Sequence, residues 1–447
     1  MNPDKYSAKE LEKRLSGRKG AGRSQRKRMA FIISSAAAET IVRTIELAVA
    51  LSVTLFLFTP VLLALIVTRF PAGKSIFSKR EVFGISAKPL TVLRFSGLSG
   101  RIADLPLFLE LFTGRLALAG TALREWAPAS PSSEQAYINM VKPGIISLWD
   151  IRRASKIAHE GREAIEWEYI FRKRPFYDLL LLLRALPVML YAERTADPSP
   201  VFHLLGLDID NITMEEAVST IQTTLRQKQQ CSIFFVNPDC LNKTIADREY
   251  RAVLRSGDHI FPDGVGLIMA GKLLQSPLKE NINGTDMLPF LCRMAAGEGH
   301  SIFLLGGKPG VAAEAATAIT RDFGVRIAGT ADGYFNHQTE SGPIIDAINR
   351  SGASILLVAF GAPLQEVWID RHRQFLRAGI LLGVGGLFDF YSGNIRRAPR
   401  WIREIGFEWV YRILQEPGRM WRRYVIGNPL FLYRVMKWKL FTTSSNH

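Results

Sequence analysis

An uncharged apolar run from Leu47 to Val67 constrains this chain more than any other feature. A helix needs about 20 predominantly apolar residues to cross the hydrocarbon core of a bilayer, and this run has that length. A secretory signal would have a shorter apolar region followed closely by a small-residue cleavage site, and neither is seen. The sequence therefore predicts a membrane-embedded helix, with a buried core helix as the alternative.

The residues before this run are polar and rich in positive charge. Cytoplasmic flanks of membrane helices carry an excess of Lys and Arg, so residues 1–38 are predicted to be a basic, disordered tail in the cytosol. Pro60 removes a backbone hydrogen bond within the run, so the helix either crosses the membrane or bends back to the same face. The tail carries Lys13, Arg14, Arg18, Lys19, Arg23, Arg26, Lys27 and Arg28.

Composition narrows the class of protein further. A chain of 447 residues predicts two or three domains, and a net charge of +16 predicts attraction to polyanions. Much of the basic character flanks apolar and aromatic stretches, so nucleic acid is not a predicted partner. Cys231, Cys240 and Cys292 cannot all pair within the chain and lack metal-ligand spacing. We predict a reducing environment, no metal and no cofactor.

Two further segments have a composition suited to a lipid surface. The apolar run Phe176 to Tyr191 is interrupted by Asp178, Arg184 and Pro187, which favours an interfacial helix over a membrane span. Residues 401–447 mix rings with cations, as expected at a headgroup boundary, and the alternative is a packed helix pair with a solvated basic face. This tail contains Trp401, Trp409, Tyr411, Arg412, Trp421, Arg422, Arg423, Tyr424, Trp438 and Lys439.

Residues 39–195 resemble the bacterial sugar transferase family, the phosphoglycosyltransferases that move a phosphosugar from a nucleotide onto polyprenyl phosphate. The resemblance rests on the proline-containing membrane segment and on four short stretches. These stretches are Lys79–Gly84, Val92–Ser96, Val141–Trp149 and Trp167–Ile170. The resemblance implies an α-rich domain that contains the membrane helix.

This N-terminal segment departs from the family at its chemistry. The family has Asp-Glu-Leu-Pro with a nucleophilic aspartate, where this chain has Ala103-Asp104-Leu105-Pro106, and alanine cannot attack a phosphate. The family's Gly-Pro-Arg-Pro is replaced by Gly120-Thr121-Ala122-Leu123, which removes an arginine suited to two-point phosphate binding. We therefore predict an inactive domain that serves as membrane anchor and docking platform. Asp104 standing in for the nucleophile is the alternative.

From Val201 onward, short apolar runs alternate with helix-like stretches. This alternation predicts an α/β fold: a Rossmann-like, mostly parallel sheet with flanking helices over residues 200–400. Predicted helices include Val311–Phe323 and Gln365–Leu376. Predicted strands are Ser232–Val236, His259–Phe261, Ser301–Leu305, Arg326–Gly329, Ile355–Phe360 and Ile380–Val384.

Polar and glycine-rich loops follow the predicted strands. Ligands bind at the carboxyl ends of parallel strands, where these loops meet. Asp263, between proline and glycine, either forms an Asx-turn or joins Asn237 and Gln365 in a site. The Gly306–Gly310 turn precedes a helix and is suited to phosphate, although a plain tight turn is the alternative. The sequence predicts a ligand site centred on Asp263.

The second half is identified as a member of the WecG/TagA/CpsF family, glycosyltransferase family 26, from motifs in order over residues 205–424. The family is known for inverting transfer of a sugar from a UDP-sugar to a polyprenyl-diphosphate-linked acceptor on the cytoplasmic leaflet. The matching stretches are Val236–Pro238, Pro262–Gly266, Gly284–Asp286, Phe303–Gly310, Gly361–Pro363 with Gln365 and Glu366, Gly383–Gly386 with Phe388 and Asp389, Arg397–Pro399 with Trp401, and Glu408–Arg412.

The resemblance implies a role for each matching position. Asp263 is the general base of a direct displacement, Asn237 and Gln365 position hydroxyls, and loop amides with arginines stabilise the departing diphosphate. The substrate-binding set is Gly264, Gly284, Asp286, Gly306, Gly307, Lys308, Gly310, Tyr334, Gly385, Gly386, Asp389, Arg397, Arg412, Arg419 and Arg422. The implied function is transfer of a hexose-type sugar (ManNAc, ManNAcA or glucose class) in cell-surface or exopolysaccharide biosynthesis at the bacterial inner membrane.

Two departures and several rival functions remain. Phe235 stands where the family often has threonine, and Asn281 where it often has arginine. A dinucleotide-dependent oxidoreductase would show GxGxxG after its first strand with an acidic residue about 20 positions on, and neither is present. A non-catalytic scaffold in a polysaccharide assembly complex stays open, as does homo-oligomerisation. Asp208-Ile209-Asp210 precedes the first main strand and is predicted to cap or turn rather than bind metal.

Overall fold

A computed structural model describes residues 25–98, 100–127, 138–156, 161–191 and 198–444. The chain separates into two compact units, the first reaching residue 190 and the second running from residue 191 onward together with residues 155–158. The predicted boundary between residues 195 and 200 falls largely on residues outside the described ranges. Most of the predicted basic tail, residues 1–24, also lies outside them.

The predicted membrane segment is helical throughout. It consists of α1 (Gln25–Val53), a π-turn (Thr54–Phe58) and α2 (Thr59–Arg69). The Thr59 amide donates to the Thr54 carbonyl, and helical dihedrals continue on both sides of the turn, so the segment remains a helix through Pro60. Among the described residues, the stretch Ala37–Arg69 is long and apolar enough to cross a membrane.

The rest of the first unit packs short helices around two small sheets that the sequence did not predict. Strands β1 (Phe77–Phe83) and β2 (Pro89–Phe95) are antiparallel, and β3 (Ala117–Ala122) pairs with β4 (Pro143–Ser147) in parallel. The helices are α3 (Gly100–Ala103), α4 (Leu109–Thr113), α5 (Leu148–Ser155), α6 (Arg162–Arg172) and α7 (Pro175–Tyr191), with 3₁₀ turns at Ile85–Ala87 and Leu105–Phe108.

Helix α7 has its charges inside and part of its apolar surface outside. Asp178 and Arg184 are buried, whereas the side chains of Phe176, Leu183 and Leu186 are well exposed. The Tyr169 hydroxyl donates to Asp178 over 2.9 Å, which satisfies the buried carboxylate. Buried charges need such partners, so the protein interior accommodates the residues that interrupt the apolar run.

The altered nucleophile motif lies at the end of α3. Ala103 is buried, so its methyl group is part of the packing. Asp104 is half-buried, and its carboxylate accepts a hydrogen bond from Arg94 Nε over 2.6 Å. The carboxylate that the sequence offered as a stand-in nucleophile is therefore engaged by a neighbouring arginine.

The second unit is built on a six-stranded parallel sheet, as predicted. Its strands are β7 (Cys231–Val236), β8 (His259–Pro262), β9 (Ser301–Gly306), β10 (Arg326–Ala331), β11 (Ile355–Ala359) and β12 (Ile380–Gly383). Their order is β10-β9-β11-β12-β7-β8. Each predicted strand is present with its ends shifted by at most two residues. A hairpin, β5 (Val201–Leu204) and β6 (Leu207–Asp210), precedes the sheet.

Alternate residues of each strand point to opposite faces, and both faces are covered by apolar side chains. Phe234 and Val236 of β7 belong to one core, while Ile233 and Phe235 belong to the other. Burial on both sides explains why the strands read as continuous apolar runs. The covering helices are α8 (Met214–Arg226), α9 (Pro238–Ala246), α10 (Arg248–Ser256), α11 (Val265–Leu274), α12 (Gly284–Glu298), α13 (Val311–Phe323), α14 (Ser341–Ser351) and α15 (Leu364–His372).

The tail of the chain packs on this unit as a series of helices. They are α16 (Leu387–Tyr391), α17 (Arg400–Glu404), α18 (Glu408–Gln415), α19 (Pro417–Trp421), a π-turn (Arg422–Ile426) and α20 (Gly427–Ser444). Phe431 and Val435 of α20 are fully buried in the core. Their burial contributes roughly 1.5–3 kcal/mol each, which holds α20 against α9 and α11.

The Asp208-Ile209-Asp210 stretch forms strand β6 rather than a cap or a turn, so that prediction was wrong. Asp208 is exposed and pairs with His203, and Asp210 accepts a hydrogen bond of 2.7 Å from the Ile260 amide of β8. An alternating Asp-x-Asp pattern suits a strand, because both carboxylates then project from the same face. Asp210 therefore fastens the hairpin to the edge of the sheet.

Candidate active site

The register of the sheet aligns the carboxyl ends of its strands. Val236 of β7 lies beside Pro262 of β8, so Asn237 and Asp263 follow neighbouring strands at the same level. Gly383 of β12 lies beside Phe234 of β7, which brings the loop after β12 to the same edge. The predicted convergence of polar loops therefore follows from parallel pairing.

Asp263 lies at the entrance to α11 and is half-buried. Its amide donates to the Val236 carbonyl over 2.8 Å, which fixes the backbone of the loop. Burial raises the pKa of the Asp263 carboxyl to about 6. Arg423, the Asn237 side chain and Arg412 act against this rise, and Glu408 adds to it. A carboxyl with this pKa is ionised at neutral pH and basic enough to accept a proton from a hydroxyl.

Two glycines and one asparagine hold the loop that carries Asp263. Gly264 has a φ of +97°, a conformation that an L side chain rarely adopts. A β-carbon on Gly266 would lie 2.4 Å from Pro238 Cγ, so only glycine lets the starts of α9 and α11 approach. The Gly264 amide donates to Asn281 Oδ1 over 2.6 Å. Asn281, a departure from the family pattern, thus acts on the loop itself.

Asn237 faces Asp263 and its own helix. Its Oδ1 accepts hydrogen bonds of 3.1 Å from the amides of Asp239 and Cys240, so it caps the N-terminus of α9. Its side chain also hydrogen-bonds Asp263 and favours the ionised carboxylate. The geometry favours orientation of the base, while contact with a sugar hydroxyl stays a prediction.

Gln365 ties two loops together. Its Oε1 accepts hydrogen bonds from the amides of Gly361 and Gly385, and its Nε2 donates to Glu366 Oε1 over 2.7 Å. Glu366 is fully buried, and burial raises its pKa to about 7. The side-chain oxygen of Gln365 is occupied by two loop amides. Its predicted catalytic role stays a prediction. The arrangement favours a role in shaping the site.

Asp286 pairs with two arginines that follow α16, Arg397 and Arg403. Its Oδ1 lies 2.7 Å from Arg397 Nη2 and 3.0 Å from Arg403 Nη1, and Asn283 Nδ2 donates to its other oxygen. Burial alone would raise the pKa of this carboxyl, but the two guanidiniums hold it below its usual value. Asp286 and Arg397 were predicted to bind substrate, and the structure shows them bound to each other. This cluster fastens α17 to the start of α12.

Cations and one carboxylate gather at another end of the site. Lys308, Arg412 and Arg419 all act electrostatically on Asp389, whose pKa is raised by burial. The Arg412 guanidinium lies 5.2 Å from the centre of the Phe390 ring. Its buried Nε has no hydrogen-bond partner among the described residues. A buried, unpartnered guanidinium nitrogen indicates a place for an anionic ligand.

These groups line one cavity of about 1350 Å³. Pockets that hold one drug-sized ligand measure about 300–1,000 Å³, so this cavity has room for more than one sugar-sized group. The predicted residues that line it are Asn237, Asp263, Gly264, Gly284, Asp286, Gly307, Lys308, Tyr334, Gln365, Gly385, Gly386, Asp389, Arg412, Arg419 and Arg422. Gly306, Gly310 and Arg397 are not among the lining residues, so for these three the prediction of direct contact is not supported.

The sequence missed several lining residues. Arg423 was predicted only as one of the basic residues of the C-terminal segment 401–447, and Glu408 only as part of the Glu408–Arg412 motif. The structure gives both an electrostatic effect on Asp263. Arg403 and Asn283 also line the cavity. A signal existed for Arg403, because it follows the Arg397-Ala398-Pro399 motif, whereas Arg423 lies in a π-turn that no local sequence pattern indicates.

The arrangement can bring a base and an anion-binding region to one substrate. Asp263 can accept a proton, and the arginines of α18 and α19 can neutralise a leaving anion in the same cavity. Such donors are most effective where the reaction develops charge. This combination suits nucleophilic substitution with a charged leaving group.

Comparisons with known proteins agree with this chemistry. Residues 202–445 match the model of the glycosyl transferase WecG/TagA/CpsF family. The N-acetylglucosaminyldiphosphoundecaprenol N-acetyl-beta-D-mannosaminyltransferase of Bacillus spizizenii strain W23 is 36% identical over 233 residues, covering 52% of this chain and 89% of the relative. The enzyme of the same name from Bacillus subtilis strain 168 is 34% identical over 212 residues, covering 47% and 81%. The family match begins at residue 202, beyond the first unit.

Proposed function

Because this chain belongs to the WecG/TagA/CpsF glycosyltransferase family, it is a glycosyltransferase, and we propose that it transfers a hexose-type sugar from a UDP-sugar to a polyprenyl-diphosphate-linked acceptor with inversion. The sugar belongs to the ManNAc, ManNAcA or glucose class. The printed name of the two relatives specifies N-acetylmannosaminyl transfer to an N-acetylglucosaminyl-diphosphoundecaprenol, which supports this choice of acceptor. The product enters a cell-surface or exopolysaccharide pathway.

The observation that carries the proposal is the environment of Asp263. Burial raises the pKa of its carboxyl, and its side chain is hydrogen-bonded to Asn237. It lies at the strand ends in the same cavity as a group of arginines. Asp263 takes the proton from the acceptor hydroxyl as the oxygen attacks the anomeric carbon. The glycosidic bond to the donor phosphate breaks in the same step, and the electron pair leaves with UDP. General-base assistance of this kind contributes about 10²–10⁴-fold.

The leaving diphosphate is bound by the tail of the chain. Arg412, Arg419 and Arg422 line the cavity from α18, α19 and the π-turn, and Lys308 lines it from the loop after β9. Guanidinium groups can form two parallel hydrogen bonds to phosphate oxygens. Stabilising the leaving group lowers the barrier to bond breaking, because negative charge develops on UDP in the transition state.

The membrane supplies the acceptor. Ala37–Arg69 anchors the chain in the bacterial inner membrane, and the catalytic unit works on the cytoplasmic face, where UDP-sugars are available. The first unit is an inactive relative of the bacterial sugar transferases, since Ala103 lacks a nucleophilic atom. A non-catalytic scaffold within a polysaccharide assembly complex is the alternative function.

A transfer assay with the full chain tests this function. The purified protein in mixed phospholipid vesicles is given N-acetylglucosaminyl-diphosphopolyprenol with radiolabelled UDP-ManNAc, UDP-ManNAcA or UDP-glucose, and lipid-linked product and released nucleotide are both measured. We expect one donor to yield an extended lipid-linked disaccharide and UDP. With polyprenyl phosphate as the acceptor we expect no UMP, because the first unit lacks its nucleophile.

Each contrary outcome removes a separate part of the proposal. No product with every donor would favour the scaffold. Release of UMP with formation of a phosphosugar-lipid would show that the first unit is active. The Asp346→Asn variant changes an exposed carboxylate outside the cavity and serves as a control for protein quality.

A further inference from the structure

The segment that carries Arg423 is fixed to the two helices that flank the base. Helix α20 packs against α9, which starts at Asn237, and against α11, which starts just after Asp263. Asn242 Nδ2 of α9 donates to the Gly427 carbonyl over 2.8 Å, and Arg434 donates to Asn242 Oδ1 over 2.8 Å. The base and the start of α20 are thus held on the same scaffold.

A π-turn separates the neighbouring arginines at the start of this segment. Arg422 and Arg423 lie in the π-turn Arg422–Ile426, where the side-chain spacing differs from that of an α-helix. Arg422 is exposed, whereas the Arg423 side chain is only 30% exposed. Its Nε lies 3.9 Å from Asp239 Oδ2, and its side chain lines the same cavity as Asp263. Both arginines line the cavity, and Arg423 is the more buried of the two.

Charges from two other elements also act on this region. Helix α18 contributes Glu408, which opposes ionisation of Asp263, and Arg412, which favours it. Helix α9 contributes Asp239, whose carboxylate is shared between Arg423 and Lys243 Nζ, the latter at 2.9 Å. Burial acts to lower the pKa of the Arg423 guanidinium, but Tyr424, Cys240 and the nearby carboxylates raise it, so Arg423 keeps its charge. Arg423 has the largest favourable effect on the Asp263 carboxylate among these groups.

We propose that Arg423 is a positioning residue that keeps Asp263 ionised. This inference rests on the proposed function and adds a residue that regulates the base of the same site. Arg423 acts through the charge of Asp263 and not through the leaving diphosphate. Its removal therefore changes the pH dependence of transfer more than the KM for the donor.

The test is a pH profile of kcat with the full chain, comparing wild type, Arg423→Met, Arg423→Lys and Lys437→Met. Lys437 lies exposed on α20 and outside the cavity, so its variant removes the same charge from the same segment. A nearby opposite charge lowers a carboxyl pKa by about 1–3 units. We expect Arg423→Met to move the acidic limb upward by about 1 pH unit. Activity then falls about tenfold at pH 5 and recovers near pH 9, while Arg423→Lys and Lys437→Met stay close to wild type.

The outcomes separate this inference from the proposed function. Wild-type transfer with an unshifted acidic limb in Arg423→Met would overturn the role of Arg423 and leave the function intact. Absence of wild-type transfer with every donor would reject the function itself. If Arg423→Met fails to fold, the same pH profile is measured with Asp239→Asn. Freeing Arg423 from Asp239 should move the limb to lower pH, and an unchanged or raised limb would contradict the inference.

Discussion

Replacing Asp263 by asparagine is expected to lower kcat for sugar transfer by about 10³-fold, within the range that general-base catalysis contributes. Asparagine has nearly the same shape and can still hydrogen-bond Asn237, but it cannot take a proton. The wild-type rate should fall as pH drops through about 6, because Asp263 becomes protonated there. The residual rate of the variant should lack this limb. The measurement is initial rate against pH at saturating donor.

The control for this substitution is Asp346→Asn, which removes one exposed carboxylate outside the cavity. It should retain wild-type kcat and the acidic limb. Binding of UDP by the Asp263→Asn variant should be unchanged, because the diphosphate contacts lie on the tail. Equal kcat in Asp263→Asn and wild type would remove Asp263 from the mechanism.

Replacing Arg412 by methionine is expected to lower kcat/KM by about 10²-fold, the scale on which loss of one donor to a developing charge acts. The Arg412 Nε is buried without a partner among the described residues, and the guanidinium is held over Phe390. Arg412→Lys should recover only part of the activity, because lysine keeps the charge but loses the planar fork. UDP inhibition constants measured beside the rates report binding of the diphosphate directly.

Arg396→Gln is the matched control for Arg412. Arg396 is exposed, precedes the helix that carries Arg412 and does not line the cavity. Its replacement therefore changes the net charge by the same amount as the Arg412 variant. It should leave both kcat/KM and inhibition by UDP near wild type. A similar loss in Arg396→Gln would mean that the effect comes from overall charge, and an unchanged UDP inhibition constant in Arg412→Met would contradict a diphosphate contact.

Sequence reasoning was most successful where local pattern determines structure. The six strands of the main sheet and helix Val311–Phe323 were predicted because buried parallel strands read as apolar runs between turns. The meeting of Asn237 and Asp263 followed from the same logic, since parallel strand ends share one edge. The long apolar helix was predicted from its length and composition, and its place in a membrane stays a prediction.

Partners that depend on side-chain geometry were not predicted. The motif containing Asp286 indicated a substrate contact, but its carboxylate is bound by Arg397 and Arg403 from the tail. Such long-range pairs leave no local pattern in the sequence. Arg422 and Arg423 lie in a π-turn, whose side-chain spacing differs from that of an α-helix, so their places in the cavity do not follow from helical periodicity. The small sheets of the first unit were not predicted, and the strands β1 and β2 of the first of them are mixed in polarity.

The anomeric configuration of the product tests the central claim most directly. A direct displacement driven by Asp263 inverts the anomeric carbon once, so an α-linked UDP-sugar must give a β-linked product. The lipid-linked disaccharide, made with the donor that the full chain accepts and with ¹³C at its anomeric carbon, is released and its one-bond carbon–hydrogen coupling is measured by NMR. We predict the coupling of a β-linkage. An α-linked product would contradict a single displacement with Asp263 as its base.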